Sequence, residues 1–256
     1  MQGENSKHKP SGSLYVVATP IGNLEDLTLR ALRILGEVST IACEDTRQTK
    51  KLLNKYNIKK PLISYYQPWE KQKIPQIIRL LKNGKDVALV TDSGTPAISD
   101  PGFLLIREAI EQGVKIIPLP GASALTTALS AAGLPTHRFL FLGFPPPKKV
   151  ATTKLLQSLK NESVTLVFYL PTRRISTFLK LSLDILGNRK IVIAREMTKI
   201  YEEFFRGTTK ELLKSLEGKK LKGEATVLIE ATLTRTKSMQ NTKMAYLKSP
   251  CPKKPS

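Results

Sequence analysis

Five short apolar runs alternate with stretches of helical spacing through the first half of the chain, and this alternation constrains the fold more than any other feature. The runs are residues 14–18, 40–43, 62–65, 87–91 and 115–119, each bounded by turn or capping residues. Between the first two, Leu27, Ala31, Leu32 and Leu35 recur at helical spacing, and Gly36 reads as the C-terminal stop. Gly84, Gly113 and Gly133 read as stops for later helices. Strand-helix alternation at this spacing predicts βαβ units, hence a mainly parallel sheet with helices on its faces.

A second α/β unit is expected from residue 134. Its strands are predicted near 139–142, 164–169, 190–194, 201–206 and 225–230, with helices near 149–160, 174–186 and 209–217. Two strands adjacent in sequence, around Arg195 and Tyr201, predict a mixed rather than a purely parallel sheet. Pro145, Pro146 and Pro147 form a stiff corner that neither a helix nor a central strand can cross. The chain is therefore divided into an N-terminal tail (1–12), a first α/β domain (13–133), a second (134–232) and a basic tail rich in Thr, Ser, Lys and Pro (233–256).

In open parallel sheets ligands bind beyond the carboxyl ends of the strands, and four unusual polar segments fall there. They are Thr19-Pro20-Ile21-Gly22-Asn23, Glu44-Asp45-Thr46-Arg47, the eleven residues 92–102, and Pro120-Gly121-Ala122-Ser123. Each also has a plainer reading. Asn23 can cap a helix, Glu44 and Asp45 can open one, and the small residues after Gly121 can serve helix packing as well as close approach of a ligand. Arg47, Lys50 and Lys51 resist that reading, because cations near a helix N-terminus are unfavourable. The 92–102 segment resists it too, since it is long for its place and its backbone groups need partners.

The chain carries 41 Lys plus Arg against 21 Asp plus Glu, a formal net charge of +20. The excess is not confined to the ends: residues 13–232 keep 13 of these charges, nine of them in 134–232. A basic globular body points to a polyanion such as nucleic acid, or to an anionic membrane surface. Two His and two Cys leave no basis for a zinc centre, a disulfide framework or a histidine-centred triad, and suit a reducing cytoplasm. No segment reaches the length of a membrane span, neither dinucleotide nor P-loop glycine signatures occur, and no metal or membrane partner is expected.

The segments Leu14-Tyr15-Val16-Val17-Ala18-Thr19-Pro20-Ile21-Gly22-Asn23, Glu44-Asp45-Thr46-Arg47, Asp92-Ser93-Gly94-Thr95-Pro96, Ser99-Asp100-Pro101-Gly102 and Pro118-Leu119-Pro120-Gly121, in this order, closely resemble the ribosomal RNA small subunit methyltransferase I family. That family belongs to the tetrapyrrole-methylase (class III) superfamily. The likeness continues through Ala194-Arg195-Glu196-Met197-Thr198-Lys199 and Arg206-Gly207-Thr208, and covers roughly residues 13–231.

The resemblance implies a two-domain α/β class III fold with a parallel N-terminal sheet, a mixed C-terminal sheet and a cleft between them. It implies a cytoplasmic homodimer that uses S-adenosyl-L-methionine to methylate the 2′-OH of a cytidine in the decoding region of 16S rRNA, free or in the small ribosomal subunit. By the same resemblance the cofactor is held by Pro20, Asp92, Gly94, Ile98, Asp100, Gly121, Ala122, Ser123 and Ala124. Phe168, Tyr169, Gly207 and Thr208 would line the second-domain wall. Where the family reads Tyr-Glu-Ser-Pro-His-Arg, this chain has Tyr169-Leu170-Pro171-Thr172-Arg173-Arg174, and the basic tail stands where the family carries a longer extension.

For the reaction, Glu44 or Asp45 is expected to take the proton from the ribose hydroxyl, with Arg47 on the phosphate or the developing oxyanion. Lys50, Lys51, Lys148, Lys149, Lys154, Arg173 and Arg174 are the candidates for phosphate contacts. Two other readings stay open at this point: a porphyrinoid methylase, and a noncatalytic RNA-binding protein.

Overall fold

The computed structural model describes residues 11–232, so most of the N-terminal tail and all of the basic tail lie outside the described residues. The five runs become β1 (Ser13–Val17), β2 (Thr40–Cys43), β3 (Leu62–Ser64), β4 (Val87–Val90) and β5 (Lys115–Leu119). All pair in parallel, in the order β3-β2-β4-β1-β5. Strands β2 and β4 are buried along their whole length, as expected of strands covered on both faces.

The connecting helices divide by face. Helices α1 (Leu29–Glu37) and α2 (Thr46–Lys55) lay Ala31, Ile34, Leu35, Leu52 and Leu53 against Val17, Ile41, Cys43 and Val90. Helices α3 (Glu70–Lys82) and α4 (Phe103–Glu111) lay Ile77, Leu81, Leu105 and Ala109 against Leu14, Ala42, Val87 and Leu89 on the other face. From β1 the chain steps toward one edge of the sheet, whereas from β4 it steps toward the other. The neighbours β1 and β4 thus form the topological switch point, where the loops beyond the strand ends part and leave a crevice.

The second sheet contains β6 (Phe139–Phe141), β7 (Thr165–Pro171), β8 (Lys190–Arg195), β9 (Glu203–Thr208) and β10 (Glu224–Ile229), in the order β6-β7-β10-β8-β9. Only β6 with β7 is parallel, so the sheet is mixed. Helices α6 (Lys149–Ser158), α7 (Ile175–Leu186) and α8 (Thr209–Ser215) cover one face through Leu156, Phe178, Leu179 and Leu212. Helix α5 (Ala124–Ala132) covers part of the other face, with Ala128, Leu129 and Ala132 against Val167, Val192 and Leu228. It follows β5 in sequence yet packs on the second sheet, so it ties the two layers together.

Gly84, Gly113 and Gly133 do end helices at positive φ (74°, 71° and 72°). Gly36 does not. It lies inside α1, which ends one residue later when Val38 N–H donates to Ile34 C=O at 3.0 Å. The exposed position tolerates its missing side chain within the last turn. The proline corner forms as expected, and the Arg174 guanidinium donates to the Pro145 and Pro146 carbonyls.

Candidate active site

The crevice is built from the loops after β1 and β4. Thr19 and Gly94 exchange both backbone hydrogen bonds at 2.9 Å, and the Thr19 hydroxyl donates to Thr91 C=O at 3.0 Å. These bonds fix the start of the 92–102 segment beside β1. Further along, Gly94 (φ 86°), Ala97 (φ 67°) and Ser99 (φ 68°) hold left-handed conformations. At Ala97 and Ser99 this costs about 1 kcal/mol or more each, a strain that tends to gather at ligand sites. The loop after β5 closes from the other side. A Cβ on Gly121 would stand 2.8 Å from the Ala18 Cβ, so this approach needs glycine. Thr95 Oγ1 donates to Ala122 C=O at 3.2 Å and links the two loops.

Two hollows result, and they share a wall. The first, about 210 Å³, lies between the sheets and is lined by Gly94, Ile98, Asp100, Ser123 and Ala124 from one side and Tyr169, Glu196, Glu224 and Thr226 from the other. The second, about 500 Å³, lies beside the first sheet and is lined by Glu44, Asp45, Arg47, Asp92, Tyr66 and Gln67. Ser99 and Asp100 border both.

Although the chain is basic, the shared wall is acidic. Burial pushes the Asp100 carboxyl up to about 7, the charges of Glu44, Glu224 and Asp92 add to the rise, and the Thr91 hydroxyl opposes it. Asp92 is raised too, chiefly by burial, while the Asp45 N–H donates to its Oδ1 at 3.0 Å and works against the rise. Glu44 Oε2 accepts from the Thr91 hydroxyl at 3.0 Å. Burial also raises the Tyr169 hydroxyl, against hydrogen bonds from Leu125 and Ser123.

Asp45 differs from its neighbours. It caps α2 by accepting from Arg47 N–H at 2.8 Å, and its carboxylate also takes the Arg47 guanidinium, with Nη2 at 2.7 Å. The guanidinium beside it holds its carboxyl down at about 2. Asp45 is therefore a fixed anion that orients Arg47, and the plainer helix-capping role holds alongside it. Arg47 itself is 86% exposed at the lip of the second hollow.

Gly94, Ile98, Asp100, Ser123, Ala124 and Tyr169 meet in the first hollow, and Glu44, Asp45, Arg47 and Asp92 in the second. Pro20 is buried and lines neither hollow, and Gly121 and Ala122 shape the wall without lining it. Three of the proposed cofactor contacts are corrected. Phe168 is 0% exposed and sits edge-on to Phe178 at 5.0 Å, among the helices on the face away from the cleft. Successive strand residues face opposite ways, so Tyr169 and Phe168 cannot share a side. Gly207 and Thr208 pair with Ile191 and Lys190, at the end of β8 opposite Ala194, which borders the cleft. There Thr208 and Glu211 form a reciprocal capping box that starts α8. Phe168→Leu is expected to cost about 1 kcal/mol in urea unfolding while leaving cofactor affinity within twofold.

Lys50, Lys51, Lys148, Lys149, Lys154 and Arg173 are exposed. Arg174 is not free for a phosphate, because the Pro145 and Pro146 carbonyls and Thr152 Oγ1 occupy its guanidinium. Leu170 lies buried among the helices, away from the cleft. Residues not anticipated include Glu224 and Thr226 at the start of β10, and Tyr66 and Gln67 after β3. Glu196 and Lys199 belong to a loop that clasps the first sheet: Asn23 N–H donates to Thr198 Oγ1 at 3.0 Å, and a Cβ on Gly22 would strike Lys199.

The acidic, strained cleft fits S-adenosylmethionine. Its carboxylates suit a sulfonium and an ammonium cation, and its Ile98 and Tyr169 side chains offer apolar surface. Among the described residues, no group of three or more His, Cys, Asp or Glu could hold a metal ion, and no helix is long and apolar enough to cross a membrane.

Comparison with known proteins gives a consistent result. The family described as Tetrapyrrole (Corrin/Porphyrin) Methylases matches residues 13–213. Ribosomal RNA small subunit methyltransferase I of Thermotoga maritima is 49% identical over 218 residues, 85% of this chain and 98% of that protein. The protein of the same name from Bacillus subtilis is 44% identical over 86% of this chain and 76% of its own length. Among solved structures, cobalt precorrin-4 methyltransferase aligns with a TM-score of 0.61 at 19% identity, covering 85% of this chain and 94% of that one. Diphthine synthase aligns with a TM-score of 0.65 at 17% identity, covering 86% and 90%. At these identities the solved structures speak for the fold alone.

Proposed function

Since the chain belongs to the tetrapyrrole methylase family, and within it to the ribosomal RNA small subunit methyltransferase I group, we propose that it methylates the 2′-OH of a cytidine ribose in the decoding region of 16S rRNA. The cofactor expected for this family is S-adenosylmethionine. The observation that carries the reading is the pairing of that kinship with two hollows meeting at Ser99 and Asp100, one for a cationic cofactor and one for the acceptor.

When bound, S-adenosylmethionine supplies an electrophilic methyl group on a positively charged sulfur. The ribose oxygen must then lie in line with that methyl, so most of the acceleration comes from positioning. The shared wall sets the distance between the two hollows. Glu44 accepts the hydroxyl proton, since Asp45 is already committed to Arg47. Arg47, locked by Asp45, retains outward N–H groups for the flanking phosphate. Asp100 and Glu224 face the cofactor's positive charge.

A porphyrinoid substrate is disfavoured by the same geometry. Its carboxylates would enter a hollow lined by Glu44, Asp45, Asp92 and Asp100 with Arg47 the one cation on that wall. RNA avoids this conflict, because a base and a ribose enter while the phosphates stay outside over Arg47, Lys50 and Lys51. A noncatalytic RNA-binding role leaves the strained cleft without a ligand. The test is transfer of labelled methyl from S-adenosylmethionine to 16S rRNA, free and in the small subunit, by the purified protein. No transfer to either overturns the assignment. A cytoplasmic homodimer is part of the same proposal, and sedimentation equilibrium measures the dimer.

Phosphate contacts make binding fall with salt. Replacing Lys50 and Lys51 together with Ala is expected to lower the slope of log K against log salt by about 1 to 2, with little change in cofactor binding. Titration at several salt concentrations measures it.

A further inference from the structure

The loop after β3 supplies part of the wall of the second hollow. Tyr65 is 1% exposed and turns into the core, where its hydroxyl accepts Leu105 N–H at 3.2 Å. Its neighbour Tyr66 remains 40% exposed and lines the hollow together with Gln67. Asp45, Arg47 and Asp92 line the same hollow, and Ser99 and Asp100 are the wall it shares with the cofactor cleft. At about 500 Å³ the space is of the size of small-ligand sites.

Resting on the rRNA reading above, we propose that this hollow seats the target base, stacked on Tyr66, with the Gln67 amide and the facing carboxylates reading its edge as that of a cytosine.

The chemistry sorts the contents of the hollow. A ring face is what a flipped-out or single-stranded base stacks upon, and stacking on aromatic side chains is the main way proteins hold such bases. An acidic wall repels phosphate but accepts a hydrogen bond from an exocyclic amino group, and carboxylates pair with the cytosine N4 amino group in this manner. The Gln67 amide can accept from that amino group and donate to ring N3 or O2. Uracil places a carbonyl oxygen where cytosine has its amino group. The Gln67 amide can turn to meet that oxygen, whereas an ionised Asp92 can only repel it. A base seated here leaves its ribose over Ser99 and Asp100, next to the methyl donor, and its phosphates at the lip beside Arg47, Lys50 and Lys51. Tyr66 and Gln67 are thus positioning residues, the choice of C over U falls to the carboxylate wall, and the proton acceptor stays Glu44.

The test is single-turnover methylation of 16S rRNA, free and in the small subunit, carrying C or U at the modified position. It compares wild type with Tyr66→Ala, Tyr66→Phe and Gln67→Leu, and equilibrium dialysis of S-adenosylmethionine reports the integrity of the adjoining cleft. Tyr66→Ala should raise the KM for RNA about 10- to 100-fold, Tyr66→Phe should stay close to wild type, and Gln67→Leu should raise the KM about tenfold for C and U alike, leaving the preference for C in place. Cofactor affinity should stay unchanged in all three. If wild type methylates the rRNA but accepts U as readily as C, or if Tyr66→Ala and Gln67→Leu keep the KM within twofold, the base pocket is wrong and the rRNA assignment stands. If wild type methylates neither form of rRNA, both fall together.

Discussion

Glu44→Gln should slow single-turnover methylation of the rRNA by about 100-fold or more, and Arg47→Ala by a comparable factor, with cofactor affinity unchanged in both. General-base removal typically costs 10² to 10⁴ in rate. Of the two carboxylates that are alternatives for this task, Asp45 is disqualified by its own surroundings. Its oxygens already take the Arg47 backbone N–H at 2.8 Å and the guanidinium at 2.7 to 3.2 Å, and its carboxyl is held down at about 2. Glu44 is bonded on Oε2 by the Thr91 hydroxyl, which fixes the carboxylate and leaves its other oxygen for the substrate. Arg47 loses a rigid, outward-facing cation in the alanine variant, so its effect should divide between KM and rate, whereas that of Glu44→Gln should fall on the rate alone. Equal rates for wild type and both variants would remove these residues from the reaction.

Asp100→Asn should stabilise the cofactor-free protein at pH 8 and weaken S-adenosylmethionine binding by about 10- to 100-fold. The sign follows from linkage. The native carboxyl titrates at about 7 against an ordinary 3.8. Between these values the folded state holds a proton that the unfolded state has released, so the stability it contributes is full below about pH 4 and is lost as pH rises to about 7. Above that, the native state keeps a buried carboxylate beside Glu44, Glu224 and Asp92. Asparagine removes the penalty, and Tm at pH 8 should rise by about 3 °C, with the difference vanishing near pH 4. A cationic cofactor favours the ionised form, so wild-type affinity should fall about tenfold per pH unit below about 7 and the variant's should not. Thermal melts and dialysis across pH 5–8 measure both. A variant that binds as well as wild type, with the same pH dependence, would exclude Asp100 from the cofactor's electrostatics.

Much of this architecture was legible because the apolar runs are short, distinct and separated by helical spacing. The first sheet's β2 and β5 match their predicted bounds, and the remaining strands differ by a few residues at their ends. The loops at the switch point were legible for the same reason, since parallel strands send their carboxyl ends to one edge. The errors have equally local causes. Phe168 and Tyr169 were placed on one wall although the period of a strand assigns them to opposite faces. Thr208 was given to the cofactor although Thr208 and Glu211, three residues apart, spell a capping box readable in the sequence. Gly36 was read as a stop although the helix had one turn position left to run.

Glu224 and Thr226 could not be foreseen on the same terms. They reach the cleft because β10 lies between β7 and β8 with Thr226 opposite Tyr169 and Ala194, a register that depends on long-range pairing. Tyr66 and Gln67 were legible in principle. Two aromatic residues at the carboxyl end of a predicted strand sit on the edge where ligands bind, but with no glycine among them they resemble the end of the strand more than a site.

The central claim is that the basic exterior brings ribosomal RNA to an acidic two-part cleft that methylates one ribose. Its most direct test is a mass-spectrometric map of ribose methylation in 16S rRNA from cells with and without this protein, complemented by wild type or by Glu44→Gln. The account predicts that a single 2′-O-methylcytidine in the decoding region disappears without the protein, returns with wild type and does not return with Glu44→Gln. An unchanged map, or the loss of a base methylation in its place, would contradict it.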